Sequence, residues 1–126
     1  MQEFTYHFIS SRKLKAMKEG KDGKGTGVAL TAVIKIDPKE AKAFCGVSLC
    51  HRKDQFNRKD AVRRARGRAE AAVAGRRNQY CSNLPVFFTY IDDNKVYRPT
   101  RRDVMNSLSV YFDLPEHFEG LLSKTP

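Results

Sequence analysis

The sequence has no apolar run near the roughly 18 residues that a membrane span needs, and no secretory leader is expected from its opening residues. The expectation is a cytoplasmic protein with no membrane partner. Acidic residues are scarce, 14 against 24 Lys and Arg, which leaves a formal net charge of +10. That imbalance points to an anionic partner: nucleic acid, a phosphorylated small molecule or an acidic surface. Cysteine is scarce too. Cys45, Cys50 and Cys81 form no C-x-x-C pair, and His7, His51 and His117 are far apart, so neither a disulfide framework nor a zinc site is supported and buried thiols are expected. Nor does any spacing set a nucleophile beside an activating base, because Asp92, Asp93, His51 and His117 stand as isolated acids and bases. The expectation is therefore a protein that is not an enzyme and that uses no cofactor and no metal.

What is present is enough for one domain over residues 1–126, of which 40% are hydrophobic. "FTYHFIS" (4–10) and "VALTAVIKI" (28–36) alternate with the period of strands, the second placing Val28, Leu30, Ala32, Ile34 and Ile36 on one face before Asp37-Pro38 stops it. "FCGVSLC" (44–50) and "PVFFTYI" (85–91) read as a third and a fourth strand, the last closed by an Asp92-Asp93-Asn94 turn. Between the first two strands, "KEGKDGKGTG" (18–27) reads as a loop. It is not a nucleotide phosphate loop, since Thr26 rather than Lys follows Gly25 and a strand comes next. Its backbone N–H groups with Lys21, Lys24 and Thr26 nevertheless make a candidate second anion site, beside the plainer reading of a connector.

Residues 51–77 hold ten of the Lys and Arg residues and only three acids. A helix is expected here, with Asn57 as N-cap, Asp60 at the capping-box position, a Phe56–Ala61 staple, and Gly75 as the stop. Ala61, Val62, Ala65, Ala69, Ala72 and Val73 fall on one stripe. Small residues there let the helix lie close to a sheet. Arg64 and Arg68 flank one edge of the stripe, Arg66 the other, and Gly67, Ala71 and Ala74 leave a smooth outer side that another subunit can approach. A second helix follows Pro99, with Thr100 as N-cap and Val104, Met105, Leu108, Tyr111 and Phe112 at helical spacing. The order β-β-β-α-β-α predicts an α+β fold: a mainly antiparallel sheet of about four strands with two helices packed on one face.

Arginine forks phosphate oxygens with paired hydrogen bonds, and a nucleobase needs a flat ring to stack on. The candidate ligand-binding residues are therefore Arg58, Arg63, Arg64 and Arg68 on the first helix, with Phe88, Tyr90, Asn94, Arg98 and Arg101 further along. For several of these a plainer role competes: a solvated helix face for the arginines, packing for the rings, a turn for Asn94.

The stretch "FCGVSLCHRKDQFNRKDAVRRARGRAEA", with its "KDQFNRK" turn and "GRAEA" step, resembles phage proteins of the Thoeris anti-defence family of signal sponges. Only Asp54, Phe56, Asn57, Arg58, Gly67 and Arg68 carry the match. The resemblance implies a non-enzymatic protein of the infected bacterial cytoplasm that sequesters cyclic ADP-ribose signals. It also implies a homo-oligomer, a dimer or a hexamer built as a trimer of dimers, with a second site for cyclic di- or trinucleotides. The competing expectation is a basic nucleic-acid-binding protein, since strands followed by a basic, alanine-rich helix resemble the later part of a double-stranded RNA-binding domain. The missing first helix and the extra strand and helix argue against that.

Overall fold

Strand β2 (Ala29–Asp37) buries side chains on both of its faces: Leu30, Ala32, Ile34 and Ile36 on one, and Ala29, Thr31 and Val33 on the other. The computed structural model, which describes residues 1–21, 27–84, 91–92, 95–115, 118 and 121, shows why. β1 (Gln2–Ile9), β2, β3 (Lys42–Cys50) and β4 (Cys81–Leu84) form an antiparallel sheet in the order β1-β2-β3-β4. A helix covers each side. On one side, α2 (Arg58–Val73) sets Ala61 against Ala29, Ala65 and Ala69 against Val33, and Ala72 against Phe44 and Cys81. On the other, α3 (Arg101–Tyr111) and the segment after it bring Val104, Leu108, Phe112, Leu114 and Phe118 to Tyr6, Phe8, Leu30, Ile34 and Cys45. A short α1 (Ser11–Lys18) joins β1 to β2, and β5 (Ile91–Asp92) pairs antiparallel with β6 (Lys95–Val96).

The fold is α+β with a four-stranded antiparallel sheet, as the alternation predicts. The expectation that both helices share one face does not hold. In "VALTAVIKI" the second alternating set, Ala29, Thr31 and Val33, is small or β-branched and uncharged up to Lys35, which allows a helix to cover that face as well. The strand pairing with β3 is Cys81–Leu84, earlier than expected. Residues 85–90 of the expected fourth strand, with Phe88 and Tyr90, lie outside the described residues, as do Asn94, Lys24 and Thr26.

Capping follows the sequence closely. The Asn57 side chain accepts from the Asp60 N–H at 3.1 Å, Phe56 and Ala61 share a cluster, and Gly75 takes φ +99° just past the last turn of α2. Thr100 accepts from the Asp103 N–H in the same way. Two stripe positions depart: Val73 is 37% exposed at the last residue of α2, and Tyr111 is 47% exposed on α3. α2 approaches β3 through Gly46, where an added Cβ would stand 2.2 Å from both the Ala65 carbonyl oxygen and the Ala69 nitrogen. Only glycine permits that contact.

Candidate ligand-binding site

β4 ends its pairing near Gly46, although the Val47 N–H still donates to the Tyr80 carbonyl. Because N–H and C=O of one residue point the same way in an antiparallel ladder, the backbone groups of Val47 and, two residues on, Leu49 point away from β2, while the Val47 side chain stays in the core. The last residues of β3 therefore run past their neighbour, and a concavity opens on each side of them.

The first concavity, about 300 Å³, lies between the end of β3, the turn at 51–57 and the start of α2, and its walls include Ser48, Cys50, Asp54, Gln55, Asp60 and Arg64. Its shape is set from below. Lys13 of α1 is fully buried and donates from Nζ to the Asp54 carbonyl at 2.9 Å, tying the turn to α1. Burial pushes the Cys50 thiol up, against the opposing pull of the Lys13 ammonium and with the help of the Asp54 charge, which disfavours the thiolate. Phe56 also borders the space but is only 7% exposed, so it closes the cavity rather than offering a ring face. The second concavity, about 480 Å³, lies across the same strand edge and includes His51, Gln79, Tyr80 and Asp113.

The arginines expected to act together are spread between α2 and the far edge of the sheet. Arg64 lines the first concavity. Arg68, one turn on, instead donates to the Val47 carbonyl at 2.7 Å and lies 4.4 Å from the Tyr80 ring centroid. Its guanidinium caps the strand edge. Arg63 is exposed and stands 3.5 Å from Asp60. Arg98 and Arg101 are at the opposite edge, beside β1, where Arg98 donates to the Thr5 carbonyl and Arg101 to the His7 carbonyl. Arg58, on the first turn of α2, instead lies over Phe56, which also borders the first concavity. One pocket gathering Arg64 with Arg98 and Arg101 in a single chain is thus not what the fold builds, because β2 and β3 intervene. Lys21 of the second anion site is exposed and paired with Glu19 at 3.3 Å.

Several residues of these surroundings carry no sequence signal. Ser48 and Gln55 enter the concavity through the strand end and turn, Tyr80 through its contact with Arg68, and Lys13 through a burial that its charge argues against. Around His7, burial lowers the imidazole below its ordinary range, and the charges of Arg58 and Arg101 push the same way. Its Nδ1 shares a hydrogen bond with Thr31 Oγ1 at 2.8 Å. Among the described residues no group of His, Cys, Asp or Glu is arranged to hold a metal ion, and no helix is long and apolar enough to cross a membrane. No family model, no curated protein and no solved structure matches the chain.

Proposed function

We propose that the protein is a non-catalytic binder that sequesters a small phosphorylated nucleotide signal, of the cyclic ADP-ribose type, in the concavity at the start of α2. The observation that carries this reading is the mixture of residues around one space of about 300 Å³: Arg64 lines it together with Asp54 and Asp60, the latter also 3.5 Å from Arg63. A bare polyanion is repelled by two acids. A ribose phosphate is suited to them, because carboxylates accept from sugar hydroxyls while a guanidinium forks the phosphate. Ser48 and Gln55 supply further polar contacts of the kind that fix a ligand's orientation in a small pocket. Assembly into a dimer or hexamer fits the exposed Gly67 and Ala74 on the outer side of α2, whereas Ala71 is partly buried against Phe44, Ala72 and Cys81.

Titration calorimetry against cyclic ADP-ribose isomers, cyclic di- and trinucleotides and a short duplex tests the proposal, with chromatography of the recovered ligand. Saturable heat with a cyclic ADP-ribose isomer, unchanged ligand on recovery and loss of that heat in Arg64→Ala are the expected results. Conversion of the ligand would make the protein an enzyme, and heat with the duplex alone would support the nucleic-acid reading in its place.

A further inference from the structure

Thr5 and His7 turn their carbonyl oxygens outward on the exposed edge of β1, and each accepts from one guanidinium: Arg98 Nη2 at 2.7 Å and Arg101 Nη1 at 2.9 Å. Both guanidiniums also lie on rings of the same strand. Arg98 is 4.4 Å from the Tyr6 centroid and Arg101 4.5 Å from that of Phe8. Each is thereby fixed before any ligand arrives, so little side-chain entropy is lost on binding. No carboxylate pairs with Arg98, Arg101 or Arg58 among the described residues, in contrast to Arg66, which Glu3 holds at 2.9 Å.

The spacing of the pair selects its ligand. Carbonyls two residues apart on a strand are separated by about 6.8 Å, which sets the scale on which the donating Nη atoms of Arg98 and Arg101 are held apart. That is too wide for the two phosphorus atoms of an anhydride and is of the order of the distance between neighbouring phosphodiesters on one strand. Immediately before Arg98, Tyr97 presents a ring that is 43% exposed, with Lys95 Nζ 5.0 Å from its centroid. Anchored cations, together with a ring part of whose surface is exposed, are the parts of a single-strand binding surface, where phosphates meet the charges and a base meets the ring. A duplex keeps its base faces stacked and has no use for the ring.

We propose that the β1 edge binds the backbone of single-stranded nucleic acid, with Arg98 and Arg101 each on one of two consecutive phosphodiesters and Tyr97 under a base. The site is separate from the Arg64 concavity, so either can fail without the other.

The test is fluorescence anisotropy of labelled oligothymidylate of about 12 nucleotides with the full chain, in a salt series. Wild type should bind saturably, with log K falling against log salt at a slope of about −1.4 or steeper, that is about −0.7 for each of two phosphates. The double variant Arg98→Gln/Arg101→Gln should weaken binding at least about 20-fold at low salt and make the slope shallower by about 1.4. Tyr97→Ala should cost roughly tenfold with the slope unchanged, and Arg64→Ala should bind like wild type. A slope that the double variant leaves unchanged, or a duplex bound as tightly as the strand, overturns the proposal. Should the double variant not fold, a wild-type slope shallower than about −1.4 or a Tyr97→Ala protein that binds as wild type overturns it equally.

Discussion

Toward α2 the sheet presents Ala29, Thr31, Val33 and Gly46; toward α3 it presents Tyr6, Phe8, Leu30, Ile34 and Cys45. Apart from Phe44 near its end, the first side is made of small and β-branched residues and meets a helix that offers alanines. The second is filled by large side chains, among them the fully buried Leu108 and Phe118. The contrast decides where binding groups can be. Backbone close to backbone lets an arginine on the shoulder of α2 reach a strand carbonyl, as Arg68 reaches Val47, and leaves Arg64 over the space at the strand end. On the other side the rings reach the edge of β1 and become the platforms for Arg98 and Arg101.

The largest expected effect comes from filling the small side. In Gly46→Ala the new methyl meets backbone atoms of Ala65 and Ala69 at 2.2 Å, and neither can retreat without moving the helix. The loss should exceed about 4 kcal/mol, the range reserved for a broken backbone contact or core, against a total of about 5–15 kcal/mol for a typical domain. A urea melt near that of wild type would show that α2 is not clamped to β3. Emptying the large side should cost less: Leu108→Ala, at a fully buried position, is expected to lose about 3 kcal/mol. Leu108→Met should lose under about 1.5 kcal/mol. If Leu108→Ala proved the costlier of the two alanine variants, the distinction between a clamped and a filled side would fail.

These two sides were unequally legible in the sequence. The alanine stripe of α2 and its Asn57 cap are local patterns, and Ala61, Ala65, Ala69 and Ala72 are buried as their spacing predicts. The same holds for β2. By contrast α1 buries Lys13 and Ala16; a helix of eight residues whose main buried side chain is a lysine has no apolar period to read. β4 is four residues long and carries Ser82 and Asn83 between its buried ends, too short for alternation to distinguish it from a turn. Of the candidate site, the arginines were legible as a group but not their division. Which edge each one serves depends on the sheet order, and that Arg68 is spent on Val47 and Tyr80 depends on where β4 stops.

Arg64 and Arg68 sharpen the comparison at the next level, because they share a helix edge and differ only in what they touch. Arg68→Ala removes a guanidinium bond to a partly buried carbonyl and a ring contact, and about 2 kcal/mol of stability should go with it. Arg64→Ala should leave the melt within about 0.5 kcal/mol of wild type while abolishing ligand heat. Equal melts for the two variants would mean that the strand-edge cap contributes nothing.

The smallest expected effect is the pH dependence along β1, which links the small side to the exposed edge. His7 and Glu3 are both held below their ordinary values, His7 by burial and then by Arg58 and Arg101, Glu3 chiefly by its hydrogen bonds to Arg66. A lowered value means that the unfolded chain takes up the proton first as pH falls. The stability each group contributes is therefore present above its unfolded value, 6.5 for the histidine and 4.5 for the glutamate, and is lost as pH falls through the folded value. Melting temperature should decline in two steps, the first below about pH 6.5 and the second below about pH 4.5. His7→Gln should flatten the first step and Glu3→Gln the second. High salt should shrink the Glu3 step more than the His7 step, since the Glu3–Arg66 pair is open to solvent and screened, whereas desolvation of the imidazole is not. A first step that survives His7→Gln would place the titrating group elsewhere and remove His7 from the account of this edge.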